Sequence, residues 1–508
     1  MNISMCELEI KSLVTSDSIT VYFEKPKELP KEYKYVVLLD GKVIQESDKT
    51  HFLLEGLGSG RYYDVQVKVM GESEVLAESP VLHLHTRPAG KRLDVTKAPY
   101  MAAGDGVAMD TQAIQRAIDD CGAGDVVYLP GGTYKTGALR LHSNMELYLE
   151  EGATLQGTDR PEDYLPRIWS RFEGTELSCY SSLLNMGELD HKSGANCENI
   201  LIRGKGTIAS GGRSLAENVI DLETERLKEE LAALGDKIKE YEKPETIPGR
   251  VRPRLINISN CQNVRISGVT LKDGASWNVH MIYSDHIVTD HCRFYSQDVW
   301  NGDGWDPDSS SNCAIFGCVF YTGDDSIAIK SGKNPEGNQI GRPSCNIKIF
   351  DCKCAFGHGI TIGSEMSGGV ENVKIWDCDM GASLCGIEIK GTKKRGGYVR
   401  KVHVRDCRAA RVMFHSVSYN DDGTGAAEAP VFEDCIFERM QITGKCFDHD
   451  GAYHEANCIE LVGFEQPGHA LRNILLKDIT LGVEGETRPQ TLVLNACEGI
   501  AIQNLKCL

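Results

Sequence analysis

Basic residues are in short supply. Over 508 residues, 55 Lys and Arg face 73 Asp and Glu, a formal net charge of −18. A surface of that sign repels phosphate backbones, whose binding needs clustered cations that release counterions, so nucleic acid is excluded as a partner. No apolar run approaches the length of a membrane span. The start, Met1-Asn2-Ile3-Ser4-Met5-Cys6-Glu7, lacks the basic and then apolar order of a secretory leader. No membrane partner and a cytoplasmic location are therefore expected. Helical periodicity is also scarce. What the chain has in surplus is 52 Gly and 19 Cys. The cysteine count is odd and the spacings are not those of a small secreted scaffold, so free thiols are expected. Cys352 and Cys354 lack a second pair that would complete a tetrahedral metal site.

At this length the chain should hold one large domain and a smaller one. Residues 1 to about 90 carry period-2 runs, Ile19-Val21-Phe23, Tyr33-Tyr35-Val37-Leu39 and Tyr63-Val65-Val67-Val69, separated by turns such as Asp40-Gly41. This is the signature of a β-sandwich, and the spacing with its closing Thr86-Arg87-Pro88 resembles a fibronectin type III module. A spacer role is favoured over sugar binding.

From Gly104-Asp105-Gly106 onward the pattern changes. Asp110 is placed to cap a helix whose stripe is Ala113, Ile114, Ala117, Ile118 and Cys121. A single helix at the start of a strand-rich region fits a cover for the open end of a stack. Short strands then recur, Asn199-Ile200-Leu201-Ile202, Asn263-Val264-Arg265-Ile266, Asn346-Ile347-Lys348-Ile349, Asn372-Val373-Lys374-Ile375 and Lys401-Val402-His403-Val404. A cysteine follows nearby in Asp351-Cys352, Asp377-Cys378, Asp406-Cys407 and Asp434-Cys435. Repeats in the twenties signal a solenoid of stacked coils, with these thiols forming an inward ladder. Residues 214–242 interrupt the repeat with Leu215, Val219, Leu222, Leu227, Leu231, Leu234 and Ile238 among many Glu and Lys, an inserted helical segment. Its charges are read as a solvated face; a rim over a groove and a contact in a homo-oligomer are left open.

Three Gly-flanked loops carry the chemistry: Asn301-Gly302-Asp303-Gly304, Gly323-Asp324-Asp325-Ser326 and Gly357-His358-Gly359. In a stack, turns one coil apart lie at the strand spacing of about 4.8 Å, so Asp303, Asp324, Asp325 and His358 should meet in one groove. Crowded carboxylates raise at least one pKa and keep a proton available, as cleavage of a glycosidic bond requires.

These loops, with Ile327-Ala328-Ile329-Lys330-Ser331-Gly332, Ile362-Gly363-Ser364-Glu365-Met366 and Gly386-Ile387-Glu388-Ile389-Lys390, resemble in order the four signatures of the polygalacturonase family, glycoside hydrolase family 28. Arg395-Gly396-Gly397-Tyr398-Val399 and Ser364-Glu365-Met366 look most like its bacterial exo-acting branch. The resemblance implies a right-handed parallel β-helix over residues 91–508 and inverting hydrolysis of α-1,4-linked galacturonic acid in pectic oligosaccharides, with no cofactor and no metal. By motif position Asp324 would be the general acid, and Asp303 and Asp325 would hold and deprotonate water. His358 would tune the acid, Lys390 would bind a substrate carboxylate, and Asn301 would position the neighbouring Asp.

One departure is Glu388, where the family has Arg. It either accepts hydroxyls of a neutral sugar or pairs with Lys393, Lys394 or Arg395. The basic group Lys330, Lys333, Lys390, Lys393, Lys394 and Arg395 counters the global negative charge and favours an acidic sugar. Trp277 and His280, one coil before Asp303, are candidate subsite residues. Trp300, Trp305 and Tyr419 are candidate stacking platforms, and His415 with Asn420-Asp421-Asp422-Gly423 a candidate side wall. The competing readings are a hydrolase of rhamnogalacturonan or a neutral sugar, prompted by Glu388, and a carbohydrate-binding solenoid without catalysis. A lyase is disfavoured, since its base is usually Lys or Arg.

Overall fold

In the computed structural model, residues 6–72, 74–447, 451–485 and 491–508 are described. The chain divides into two units, Met1–Lys91 and Arg92–Leu508. Two sheets make the first. Ile10–Val14, Ser18–Phe23 and His51–Glu55 form one, and Lys34–Leu39, Lys42–Ser47, Tyr62–Met70, Val75–Glu78 and Leu82–His85 carry most of the other. Period-2 alternation turns Ile19, Val21, Phe23, Phe52 and Leu54 of the first sheet onto Tyr35, Val37, Val65, Val67 and Val69 of the second, one buried core.

The second unit is a parallel β-helix. Each coil gives three strands, for example Asp285–Asp290, Arg293–Ser296 and Trp305–Asp308, and each pairs in register with its counterpart one coil on, Ala314–Phe316, Val319–Thr322 and Ile327–Ile329. A right-handed winding is the general rule for parallel crossovers. Of the three runs, the eleven-stranded sheet from Leu139–Arg140 to Leu492–Asn495 matters most here.

The corner between the first two strands of a coil is one residue in the left-handed region, His291, Gly317, Asp351, Asp377 and Asp406 in successive coils. Gly, Asp and His are among the residues that tolerate this conformation best. The next residue is Cys292, Cys318, Cys352, Cys378 or Cys407, buried and donating its thiol to the carbonyl two residues back at 3.1–3.4 Å. Cys435 is not in this ladder. Arg408 pairs with Gln441, so Met440 lies over Cys407, while Cys435 pairs with Ile474 at another corner. That coil is longer than the one before it, and a spacing of similar size lands on the wrong corner.

Helix Thr111–Asp119 buries Ile114, Ala117 and Ile118 in the large core. Asp110 does not cap it through its side chain; its carboxylate accepts from Ala103 N at 2.7 Å and Gly104 N at 3.0 Å, tying down the preceding loop. The insertion is a pair of helices, Gly212–Arg226 and Lys228–Leu234, followed by the 3-10 turn Gly235–Glu240. Leu215 and Val219 are buried, whereas Leu222 is exposed. Among the described residues no helix is long and apolar enough to cross a membrane.

Candidate active site

The eleven-stranded sheet alternates strictly. Trp305, Ile327, Ile329, Ile360, Ile362, Ile387 and Ile389 point into the core. The intervening positions face outward, and register aligns them in rows. His280, Asp306, Ala328, Thr361 and Glu388 make one row. Asp308 pairs with Lys330, and Lys390 with His415, in the next.

The acidic turns lie just before three consecutive strands of this sheet, and their backbones continue the ladder. Gly304 N donates to Asp325 O at 3.0 Å, and His358 N donates to Asp324 O at 3.0 Å. Two glycines make that stacking feasible. A Cβ on Gly304 would lie 2.4 Å from Ser326 O, and one on Gly357, whose φ is +110°, would lie 2.6 Å from Asp324 O.

The side chains converge. His358 Nδ1 lies 3.0 Å from Asp324 Oδ1 and 3.3 Å from Asp325 Oδ1. Thr361 Oγ1 donates to Asp325 Oδ1 at 2.6 Å, and Lys390 Nζ is 3.9 Å from Asp325 Oδ2. Asn301 Nδ2 donates to Asp324 Oδ2 at 3.4 Å. Lys330 Nζ sits 3.4 Å from Asp303 Oδ2 and 3.6 Å from Glu365 Oε2. The donor atoms of Asp324, Asp325 and His358 lie within 4.8 Å of one another, close enough to hold a metal ion. The imidazole Nδ1, however, faces the two carboxylates as the cation between them.

Ionisation divides the acids. Burial, with Asp306 and Asp324 nearby, pushes the Asp303 carboxyl well above the usual range. Asp306 is raised chiefly by burial, and neither of its oxygens has a hydrogen-bond partner among the described residues. Burial opposes ionisation of Asp324 and Asp325 too, but His358 outweighs it at Asp324, and Lys390 with His358 at Asp325, so both stay below the usual value. Burial would likewise discharge His358, yet the two carboxylates hold it well above the usual imidazole range. A group with a raised folded pKa stabilises fully below its unfolded pKa and loses that contribution as pH rises through the folded one. The melting temperature of the protein should therefore fall as pH is taken upward from about 7, and calorimetry across pH should find much of that slope gone in His358→Asn.

A cover lies over this floor. It combines the hairpin Ile168–Phe172 and Thr175–Cys179, the end of the insertion and the loop at 420–424. Asp421 N donates to Glu240 O at 3.2 Å, and Glu242 N to Asn420 Oδ1 at 3.1 Å. Arg250 grips Asp422 with both terminal nitrogens, at 3.1 and 2.9 Å, and Glu173 at 2.8 Å. Lys333 also reaches Asp422, and its backbone N donates to Gly174 O at 2.9 Å. Under this cover the Asp303 and Asp325 side chains keep 3% and 5% exposure, against 24% for Asp324 and 19% for His358.

Several sequence expectations change. Trp277 and His280 are buried and line no subsite: Phe172 stacks on Trp277 at 4.6 Å, and Ser170 of the same hairpin bonds Asn257 beside them. Desolvation pushes His280 down to about 4, so it is neutral. Trp305 is a core residue, its Nε1 donating to Thr289 Oγ1 at 3.0 Å. The ring of Trp300 is contacted by Lys243 at 3.5 Å and Arg252 at 4.3 Å, which leaves it poorly placed to stack on sugar. Tyr419 is 38% exposed, its ring 6.0 Å from Lys390 Nζ. Glu388 pairs with Lys390 at 2.9 Å and His415 at 2.7 Å, and with none of Lys393, Lys394 or Arg395. Lys394 and Arg395 go to the cover, bonding the carbonyls of Asp421 and Asn420 at 2.6 and 3.2 Å. Asp306 and Thr361 escaped the motif reading. Period two from Asp308 and from Ile360 would have turned both outward. Arg252 had no such signal.

Residues 187–421 match the family model of glycosyl hydrolases family 28, and residues 98–152 that of rhamnogalacturonase A/epimerase, pectate lyase-like. The chain is 28% identical over 401 residues to an exo-poly-alpha-D-galacturonosidase of Dickeya chrysanthemi, a match spanning 73% of this chain and 64% of that protein. It is 28% identical to an endo-polygalacturonase of Pectobacterium parmentieri, over 65% of this chain and 73% of the relative. A family 28 exopolygalacturonase structure from Yersinia enterocolitica superposes with a TM-score of 0.77 at 20% identity, over 98% of this chain and 96% of that one, a likeness of fold. A hyperthermoactive exopolygalacturonase from Thermotoga maritima gives a TM-score of 0.66 at 26% identity, over 82% and 91%.

Proposed function

Because the chain belongs to glycosyl hydrolase family 28, we propose that it is an inverting glycosidase that removes galacturonic acid from the ends of pectic oligosaccharides. One observation carries the exo assignment, which likeness to both an exo- and an endo-acting relative leaves open. The hairpin, the insertion and the 420–424 loop are hydrogen-bonded to one another over the acids, and a polymer cannot lie across a roofed groove.

Asp324 is the donor. It is the most exposed of the three acids, and His358, 3.0 Å away, holds the proton it passes to the glycosidic oxygen. Asp325, kept ionised by Lys390 and oriented by Thr361, takes a proton from the attacking water. Asp303, protonated and held by Lys330, hydrogen-bonds that water. The atoms balance: water adds to the anomeric carbon as the leaving oxygen is protonated from the opposite side. No step draws on a metal. The two sheets of the first unit support reading it as a fibronectin type III-like module.

Proton NMR of a digest tests the proposal. Saturated digalacturonide should yield galacturonic acid with the anomeric configuration inverted, and polygalacturonate should release monomer with little early loss of viscosity. No galacturonate from the dimer would overturn the substrate, and a rapid fall in viscosity would overturn the exo mode.

A further inference from the structure

Arg252, where the insertion returns to the coils, is fully buried, yet no carboxylate of the described residues touches its guanidinium. Arg250 beside it has two, and Arg171 has Asp308 at 2.9 Å. A buried cation without an anion is costly, and desolvation pushes Arg252 down to about 10. Its bonds run instead to the turn that precedes Asp303. They go to Trp300 O at 2.7 Å, Asn301 Oδ1 at 2.6 Å, Gly249 O at 2.8 Å and Ala275 O at 3.3 Å. From the same segment, Lys243 lies on the Trp300 ring.

The contact with Asn301 fixes the amide. A guanidinium only donates, so the Asn301 oxygen must face Arg252, and its NH₂ must face Asp324 Oδ2, 3.4 Å away. Rotating that amide would oppose two acceptors at Asp324. Asn301 also sits in the left-handed region, φ +52°, in the turn that Arg252 braces through the Trp300 carbonyl.

We propose that Arg252 is a positioning residue for the hydrolysis, acting through Asn301 to aim the Asp324 carboxyl, so that the inserted segment completes the catalytic turn. The inference rests on the glycosidase reading above. It gives the cost of the unpaired cation a use. The guanidinium supplies a directed donor and a positive potential beside Asp303 and Asp324 without forming an ion pair that would draw either carboxylate out of line. The charged groups that face Asp324 are His358, Asp325, Lys390, Asp303 and Asp306 from the floor, and Glu242, Lys243 and Arg252 from the insertion. All but Arg252 are unchanged in the variants below, so a shift in the pH profile can be assigned to it.

The experiment is a double-mutant cycle on the full chain with saturated digalacturonide: Arg252→Met, Asn301→Gly, both together, and Arg252→Lys. Gly at 301 keeps the left-handed backbone free of strain. Arg252→Met should lower kcat about 30- to 100-fold with KM changed less than about threefold. The alkaline limb of kcat/KM should move to higher pH, because removing a positive charge favours the protonated acid. The double variant should be no worse than the poorer single one within about threefold, the mark of residues acting as one unit. Arg252→Lys, which keeps the charge and loses the fork, should restore the limb and only part of kcat. Additive losses, or a lowered melting temperature with an unmoved pH profile, would reduce Arg252 to a packing role and overturn the inference. If Arg252→Met does not fold, the same cycle run with Arg252→Lys and Asn301→Gly decides through kcat: non-additive losses support the inference and additive losses overturn it. A parent chain that releases no galacturonate would instead overturn the glycosidase reading, and this inference with it.

Discussion

Asp324→Asn is expected to lower kcat on digalacturonide by about 10³-fold, within the range for loss of a general acid, while binding of the oligosaccharide survives. The amide keeps the shape and can accept at Oδ1, but it has no proton to give the leaving oxygen. His358, 3.0 Å away, would lose the nearer of the two carboxylates that hold its charge, so the pH profile should change shape as well as height. Asp303→Asn should be gentler at low pH, since burial favours the protonated form of that carboxyl. Titration calorimetry with the intact dimer, alongside rapid-quench turnover, checks both parts. A non-catalytic solenoid would show the same binding and no difference in turnover.

Lys390→Met should cost the most stability of any single change at the site. Lys390 is 7% exposed, its ammonium 2.9 Å from Glu388 and 3.9 Å from Asp325, and all three residues are buried. Removing one partner of a buried ion pair typically costs about 3–5 kcal/mol. The stranded carboxylates would answer by taking up protons, so the urea-unfolding deficit should shrink as pH is lowered toward 5, and Asp325 would cease to act as base near neutrality. Glu388→Gln should behave in the opposite sense. It frees Lys390 from its nearest anion, and the KM for galacturonate oligomers should fall several-fold because the substrate carboxylate no longer competes with Glu388 for the ammonium. An unchanged KM would show that Lys390 serves Asp325 alone.

The solenoid was legible because its local rules repeat. A left-handed Asp followed by Cys marks a corner, and strict alternation marks which face of each strand is inside. The acidic turns were legible for the same reason, since equivalent corners stack. What escaped was everything that crosses the repeat. The roles of Trp277 and His280 depend on a hairpin more than a hundred residues away, which covers them. Glu388 finds no partner in the nearby cations Lys393, Lys394 and Arg395, because a parallel sheet brings His415 beside Lys390 from the next coil. The longer coil that carries Met440 over Cys407 broke the spacing that placed Cys435. Arg252 comes from an insertion, and nothing in its local pattern points to a turn near residue 300.

The row of corner thiols from Cys292 to Cys407 bears on how the molecule comes apart. Each sulfur is buried and hydrogen-bonded within its own coil, so an alkylating reagent can reach it only when that coil opens. Cys507, which is exposed, should be modified at once. Peptide mapping of the label over time would thus give the order in which the windings fray, the five cysteines serving as native probes placed one winding apart.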